Sequence, residues 1–322
     1  EQKVILRNED MAPAGDVRGF SGGGLFYINE AQDQAFLAGV ENAMENAAEE
    51  NDRLKGIHIS AFYDLLKVNN LALIKPKYLV DFKYLSDQIF PEKYYEHLAS
   101  FKWNDFLHVI SILKEVLEKE VSCLNISPLD ILNNNKQKLR VNKQDIEDLE
   151  NKSLWVALLE LMLLDCLKDN ENFDDFEFII DIDRLFKEYR IIYINSNKGW
   201  EANYEAIVTT NIEGLNDNGK VIVIVGCGSS AGTEALIPEQ SLLEVVDSIS
   251  NANGNYDNID NALCNNPTRY PVIDWLSLHN QCLFSNRNEF EIYAPIRHKN
   301  ENIKLLKQKY QPYLDAQGKE NE

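Results

Sequence analysis

Residues 220–225 read Lys-Val-Ile-Val-Ile-Val, and residues 190–195 read Arg-Ile-Ile-Tyr-Ile-Asn. Both are short runs of β-branched and aromatic side chains, which is typical of buried strands. A helical pattern over residues 200–211 separates them, and a second helix is predicted over residues 242–249. Because parallel strands are joined by a crossover helix, these segments predict a βαβ unit with parallel pairing.

The longest apolar run precedes this unit. Residues 154–167 are interrupted only by Glu160 and Asp165, and Ser153 is a suitable N-cap for a helix. The run is shorter than the roughly 20 residues needed to cross a bilayer, so it predicts a buried core helix and no membrane association. The two carboxylates are separated by about 140° around such a helix, so they cannot coordinate the same ion.

Three regions are predicted along the chain. Residues 1–52 form a glycine-rich hairpin or hinge, with short strands at residues 4–6 and 25–28, followed by an acidic linker or helix. Residues 53–151 are helical, and residues 152–322 form an α/β domain with C-terminal helices. The predicted class is therefore α+β or α/β, with a mainly helical first part followed by an α/β part that holds a small, partly parallel sheet. An edge strand is expected over residues 289–294.

The composition is that of an acidic globular protein. The 322 residues include 32 Lys and Arg against 52 Asp and Glu, a net charge of -20, and 44% are hydrophobic. This charge makes nucleic acid an unlikely partner, because nonspecific affinity for phosphates needs an excess of basic side chains. Half of the charge lies within residues 143–183, which contain thirteen acidic and three basic residues. We expect that region to present an acidic face to a basic partner.

The cysteines are widely spaced and show no CxxC pair, so they predict reduced thiols in a cytoplasmic protein. They are Cys123, Cys166, Cys227, Cys264 and Cys282.

A glycine-rich segment, Gly-Cys-Gly-Ser-Ser-Ala-Gly at residues 226–232, follows the second strand. Glycines in this position let the backbone approach a phosphate that a following helix N-terminus then stabilises. The spacing is GxGxxxG and no lysine follows as in a P-loop, so a flexible strand-to-helix connection is the alternative to a nucleotide or phosphate site. The candidate ligand-binding residues are Gly226, Gly228, Ser229, Ser230 and Gly232.

Three acidic residues suggest a second kind of site. If residues 176–182 form a strand, Glu177, Asp181 and Asp183 share one face and resemble the divalent-metal site of a nuclease. If the segment is a helix, Glu177 and Asp181 face solvent. The acidic surroundings would repel a phosphate backbone, which argues against the nuclease hypothesis.

Two pairs have the spacing of a nucleophile and its base or of two metal ligands. His279 and Cys282, like Asp105 and His108, are three residues apart on predicted helices, which brings both side chains to one face. Two residues do not make a site, and a structural histidine is the alternative in both cases.

Several short motifs together resemble a known family. They are Ala-Gly-Asp-Val-Arg-Gly at residues 14–19, Leu154-Trp155 at the start of the apolar helix, and Ile-Ile-Tyr-Ile-Asn-Ser at residues 191–196 followed by Lys198 and Trp200. In these motifs the chain resembles the C-terminal modules of bacterial ABC-three-component (ABC-3C) systems.

In those conflict systems a variable effector is joined to a shared module and works with an ABC-type ATPase and a small middle component. The resemblance implies a noncatalytic interaction module that docks the ATPase or the middle component. It supplies no catalytic residues to carry over, and the sequence names no cofactor.

Overall fold

The structure is a computed structural model, and contacts within the chain divide it into two units, Glu1–Lys75 and Pro76–Glu322. The residues that it describes are 3–7, 24–29, 34–44, 53–71, 75–91, 110–111, 114, 117, 121, 124–141, 149–169, 180–194, 207, 212–226, 234–244, 270–292 and 299–315.

The first unit contains a four-stranded antiparallel sheet followed by a helix. Its elements are β1 (Lys3–Arg7), β2 (Gly24–Asn29), β3 (Gln34–Met44), β4 (Arg53–His58) and α1 (Ser60–Val68). The strand order is β1-β4-β3-β2, and all three pairings are antiparallel. In this register Phe26 lies opposite Leu37, and Val40 lies opposite Ile57.

This sheet corrects three expectations. The two predicted short strands exist as β1 and β2, but they do not form a hairpin with each other, since β1 pairs with β4 and β2 with β3. The segment expected as an acidic linker or helix contains β3, whose backbone is paired on both sides, and this pairing outweighs the low strand propensity of its three alanines and one glutamate. The boundary expected near Arg53 falls at the start of β4, inside the sheet.

The second unit is mostly helical around a second sheet. Its elements are α2 (Lys77–Val80), a 3-10 helix (Phe82–Gln88), α3 (Pro128–Asn135), a 3-10 turn (Lys136–Lys138), β5 (Leu139–Val141), α4 (Lys152–Asp169), α5 (Ile182–Glu188), β6 (Tyr189–Ile194), β7 (Lys220–Val225), β8 (Val272–Asp274), α6 (Trp275–Cys282), a 3-10 turn (Phe284–Asn286), α7 (Arg287–Ile292) and α8 (Lys299–Leu314). Residues 239–244 are also helical. Helix α7 replaces the edge strand expected over residues 289–294.

The sheet of the second unit is parallel, in the order β5-β6-β7-β8. Strands β6 and β7 pair from Tyr189 opposite Lys220 to Ile194 opposite Val225, which confirms the predicted parallel pairing and the α+β class. Every residue of β6 is buried. Its alternating side chains therefore face two apolar clusters, one on each side of the sheet.

The apolar helix α4 occupies the larger cluster. All residues from Leu154 to Leu167 are buried, which confirms the predicted core helix. Its Trp155 indole donates a hydrogen bond to the Leu149 carbonyl at 2.8 Å. Helix α4 packs against α8 and against the 3-10 helix Phe82–Gln88, so it lies at the centre of the second unit. Among the described residues, we find no helix whose length and apolar character would let it cross a membrane.

Candidate functional site

The predicted glycine segment begins at the carboxyl end of β7. The Gly226 backbone N–H donates to the Ile194 carbonyl at 2.9 Å, and a Cβ at this position would lie 1.9 Å from the Tyr193 hydroxyl oxygen. Glycine is thus required here because the Tyr193 side chain occupies the space of a Cβ. The other four candidates, Gly228, Ser229, Ser230 and Gly232, lie outside the described residues, so ligand binding by this segment stays a prediction.

Two of the three predicted metal-binding acids are described. Asp181 is the N-cap of α5, where its Oδ1 accepts a hydrogen bond from the Arg184 backbone N–H at 3.0 Å. The Asp183 side chain is 78% exposed and lies 3.6 Å from the Lys138 ammonium. Glu177 lies outside the described residues, so the metal site stays a prediction. Within the described part of the chain, no three His, Cys, Asp or Glu side chains are grouped to hold a metal ion.

The spacing of His279 and Cys282 does not produce a nucleophile and its base. Both are buried on α6, but the Cys282 thiol lies 3.2 Å from the Lys309 carbonyl and His279 has other partners. Burial raises the pKa of the Cys282 thiol, so it stays protonated at neutral pH. The second pair, Asp105 and His108, lies outside the described residues.

His279 belongs to a fully buried polar cluster centred on Glu160, which we call the Glu160 cluster. Oε2 of Glu160 lies 3.0 Å from Nε2 of His279 and accepts a hydrogen bond from the Trp275 indole at 2.9 Å. Because the carboxylate only accepts, Nε2 of His279 is the donor. Nδ1 of the same ring lies 2.5 Å from the Tyr310 hydroxyl. Glu160 therefore joins α4 to α6, and the His279 ring joins α6 to α8.

The other oxygen of Glu160 stabilises an unusual backbone conformation. Phe90 has a φ of 49°, in the left-handed region that residues other than glycine seldom adopt. Its backbone N–H donates to Oε1 of Glu160 at 2.5 Å, and its ring meets the His279 ring edge-on. Such a conformation costs about 1–3 kcal/mol, and the buried hydrogen bond to Glu160 offsets this cost.

Asp165, the second carboxylate of α4, is the centre of a separate polar cluster. Its Oδ2 accepts a hydrogen bond from the Arg184 guanidinium at 2.7 Å, and its Oδ1 lies 3.0 Å from both the Lys168 ammonium and the Tyr189 hydroxyl. Lys168 also binds Glu188 at 2.8 Å. Burial raises the pKa of Asp165, while the charges of Lys168 and Arg184 oppose this shift.

The same region holds the end of helix α8. The Leu314 carbonyl lies 3.1 Å from the Tyr189 hydroxyl and 3.3 Å from the Lys220 ammonium. The last carbonyls of a helix lack partners within the helix and carry partial negative charge, so a buried lysine is a favourable partner there. Burial lowers the pKa of Lys220, which favours its neutral form more than in water.

The two clusters account for the groups of α4 that could have carried chemistry. Their carboxylates, imidazole and phenols are buried and bonded to one another, so they stabilise the fold. Sequence reasoning excluded a shared ion between Glu160 and Asp165 but did not foresee these partners. The sequence did contain a signal for such partners, because a charged residue within a run predicted to be buried requires a polar partner.

Among the side chains that the structure describes, exposed apolar ones are mainly in the first unit. On the strands these are Phe26 at 59%, Leu37 at 40% and Ile57 at 39%. Helix α1 buries none of its nine residues, and Leu65 and Val68 on it are 61% and 82% exposed. Contiguous exposed apolar surface is typical of protein interfaces, so the first unit supplies the candidate interface.

Comparison with known proteins gives one match. A family model described as C-terminal domain 4 of the ABC-three component (ABC-3C) systems matches residues 56–284. Neither the search of curated proteins nor the search of solved structures found a match. The family match extends from β4 to the 3-10 turn after α6 and so includes α1, the Glu160 and Asp165 side chains and the parallel sheet. Since it spans more than half of the sequence, the chain belongs to the C-terminal domain 4 family of the ABC-3C systems.

Proposed function

We propose that this chain is a noncatalytic interaction module of a bacterial anti-phage conflict system, and that it docks the ABC-type ATPase or the middle component of that system. The observation that carries the proposal is the exposed apolar surface formed by Phe26, Leu37 and Ile57 on the first sheet, which we call the sheet surface. Membership of a family named for three-component systems supplies the class of partner.

The sheet surface includes a cross-strand pair. Phe26 and Leu37 are opposite each other on β2 and β3, and Gly24 leaves room for the aromatic ring. A Cβ at Gly24 would lie 2.6 Å from the Phe26 ring and 3.0 Å from the Leu37 side chain. An exposed aromatic side chain beside a leucine can supply the apolar centre of an interface, because hot spots are enriched in large aromatic residues.

The polar clusters support a noncatalytic role. Glu160 and His279 are 0% exposed and Asp165 is 2% exposed, and the structure engages each of them in hydrogen bonds or ion pairs within the chain. A catalytic group has to reach the reacting atoms of a substrate, and these side chains do not meet that condition.

The net charge of the chain favours a partner with a basic surface. The net charge of -20 repels another acidic protein at long range and attracts a basic one, so we expect association to weaken as ionic strength rises. The buried, free thiol of Cys282 fits the reducing cytoplasm, where we place the protein.

The test is a binding assay between the purified chain and the ATPase and middle component encoded beside its gene. We expect a complex that the double substitution Phe26→Asp/Leu37→Asp weakens at least tenfold. The matched control is Val80→Asp/Tyr84→Asp, which places the same charges at side chains of the second unit that are 55% and 43% exposed. Undiminished binding by the first variant, or equal losses in both, would contradict the role of the sheet surface, provided that circular dichroism shows both variants folded.

A second candidate function is binding of a nucleotide or phosphorylated ligand by the segment from Gly226 to Gly232. The observation that favours it is that Gly226 ends an inner strand of a parallel sheet, and ligands of such sheets bind beyond the carboxyl ends of the strands. Calorimetry with ATP, GTP and inorganic phosphate tests this function, with Gly228→Val as the variant. Heat of binding that is unchanged in the variant would count against this site.

A further inference from the structure

Strand β6 carries a buried arginine, Arg190, that no described acid neutralises. Its side chain belongs to a residue that is only 4% exposed. Nη2 of Arg190 donates a hydrogen bond to the Glu213 carbonyl at 2.6 Å, whereas its Nε is sealed from solvent and has no hydrogen-bond partner. A guanidinium carries several N–H donors and cannot be deprotonated in proteins. A single carbonyl therefore leaves the positive charge unbalanced and the Nε donor unsatisfied.

Other buried cations of the second unit lie near acids. Lys168 lies 3.0 Å from Asp165 and 2.8 Å from Glu188. Burial lowers the pKa of Lys220, but the charges of Glu188 and Asp165 oppose that shift. Burial also lowers the pKa of Arg190, and no charge within the described part of the chain opposes the shift there. Buried charges in proteins are normally paired, because an unpaired one destabilises the fold. The fold alone therefore does not account for Arg190.

We propose that Arg190 anchors an anion-binding site, where it takes the carboxylate or phosphate group of a small ligand. The planar guanidinium suits both groups, because it can donate two parallel N–H bonds to two oxygens of either. A bound oxyanion supplies the negative charge and the acceptor for Nε. The inference goes beyond the docking function, because it concerns a small molecule and a site away from the sheet surface.

This site is also separate from the glycine segment that begins at Gly226. Arg190 lies opposite Val221 near the amino end of β7, whereas Gly226 follows the carboxyl end of that strand. Val221 and Gly226 are five residues apart in the sequence, which corresponds to about 16 Å along a strand. A phosphate group bound to Arg190 is therefore too far from Gly226 to be held by both.

One tight turn separates Arg190 from solvent. The Leu215 backbone N–H donates to the Ile212 carbonyl at 3.0 Å, which closes the turn. Ile212 and Leu215 are buried, while Glu213 and Gly214 between them are exposed. Gly214 has a φ of 78°, and no described atom lies within 4 Å of a Cβ built on it. Because the turn holds the guanidinium only through the Glu213 carbonyl, a small outward movement of the turn admits an anion.

The surroundings of Arg190 are apolar, which strengthens its attraction for an anion. Alternate residues of a strand share a face, so Arg190 lies on the same face of the sheet as Ile192, with Val221 as its neighbour on β7. Ile192, Val221, Ile212 and Leu215 all belong to the smaller apolar cluster. Opposite charges attract more strongly where water is excluded. The site can therefore hold an anion although the net charge of -20 repels anions at long range.

Thermal unfolding with small anions tests the proposal. Inorganic phosphate or acetate replaces chloride at equal ionic strength. We expect at least one of them to raise the unfolding temperature of the natural protein by about 3 °C when its concentration is tenfold above the dissociation constant. The two arms show whether the site takes a phosphate or a carboxylate group. Phosphate also stabilises proteins in general, so each shift is compared with that of a variant that lacks the guanidinium.

Arg190→Met is that variant, because it replaces the guanidinium with an apolar side chain. It should lose the anion-dependent shift, and calorimetry should show affinity reduced about thirtyfold or more, as expected when one partner of a buried charge pair is removed. In chloride it should be at least as stable as the natural protein, since it removes an unpaired buried charge. The matched control is Arg287→Met, which removes a half-buried arginine that donates to the Phe284 carbonyl at 3.1 Å. It changes the net charge equally and should leave the anion effect intact.

Arg190→Lys separates the charge from the geometry of the guanidinium. The ammonium keeps the positive charge but cannot donate two parallel bonds, so the anion should bind about tenfold more weakly than to the natural protein. This comparison remains available if Arg190→Met does not fold. Equal affinity of the natural protein and Arg190→Lys would overturn the bidentate contact on which the proposal depends.

A natural protein that neither phosphate nor acetate stabilises beyond chloride would overturn the proposal. Equal anion-dependent shifts in the natural protein and Arg190→Met would also overturn it, because the anion would then act elsewhere. These measurements use no protein partner, so their outcome is independent of the binding assay with the ATPase and middle component.

Discussion

The substitution Glu160→Leu should cost the protein a large part of its stability. The change removes a carboxylate that accepts from the Phe90 backbone N–H, the Trp275 indole and the His279 imidazole, at 2.5, 2.9 and 3.0 Å. All three donors are buried, so water cannot replace the lost acceptor. Each unsatisfied buried donor costs about 1–3 kcal/mol, so three such donors cost about 3–9 kcal/mol, and the buried apolar surface of the introduced leucine places the net loss near the lower end of that range. We therefore expect the free energy of unfolding to fall by about 4 kcal/mol.

Urea unfolding followed by tryptophan fluorescence measures this loss, and Trp155 in the core is a suitable probe. Glu160→Gln should cost about half as much, because the amide keeps the side-chain shape and one acceptor oxygen but turns an N–H group towards a donor. The matched control is Glu289→Gln, which removes an exposed ion pair with Lys309 at 2.7 Å and should cost less than about 1 kcal/mol. If Glu160→Leu unfolds at the urea concentration of the natural protein, the Glu160 cluster does not stabilise the fold and our reasoning fails.

Two further predictions concern the sheet of the second unit. Gly226→Ala should destabilise the protein by about 1–3 kcal/mol, because its Cβ would lie 1.9 Å from the Tyr193 hydroxyl. Adding Tyr193→Phe should recover part of this loss, as measured by thermal unfolding. If the second substitution recovers nothing, the steric cause is refuted. Lys220→Met tests the buried ammonium. Burial lowers the pKa of Lys220 below its usual 10.5, so between the folded pKa and 10.5 the unfolded chain binds more protons than the folded chain. The free energy of unfolding therefore rises with pH within that window. The natural protein should therefore gain stability relative to Lys220→Met as pH rises through that window, and a constant difference between the two in urea unfolding would contradict the shift.

The sequence was a good guide where one short segment determines its own environment. The β-branched runs of β6 and β7 can only be buried strands, and the apolar surface of α4 can only be satisfied inside a core. Their burial and the parallel pairing of β6 with β7 followed from composition and from the length of the intervening segment. These features do not depend on any distant residue.

Features that depend on distant partners were not predictable in the same way. Strand β3 contains three alanines and one glutamate, which do not favour strands, and it is a strand because β2 and β4 pair with it on both sides. Likewise, Glu160 meets His279 and Trp275, which are more than 100 residues away along the chain. A sequence shows that a buried carboxylate needs partners, but only the fold shows which side chains supply them.

The candidate site could also be predicted from the sequence only in part. Gly226 looked like part of a ligand-binding segment, and its lack of a side chain is accounted for by the neighbouring Tyr193 hydroxyl. The exposed apolar stripe of α1 was not foreseen, because Phe62, Leu65 and Val68 also have the spacing of a helix packed against a core. Exposure, unlike amphipathic spacing, is a property of the whole fold.

The Glu160 cluster has a consequence for how sequences of this family are compared. A glutamate, a histidine and a tyrosine joined in series would look like a proton relay in any alignment that retained them. Here Glu160, His279 and Tyr310 are no more than 1% exposed, so selection on them would preserve the packing of the core. Position 90 would be expected to covary with position 160, since the left-handed backbone of Phe90 relies on that carboxylate. Invariance at these positions would therefore identify relatives that share a core.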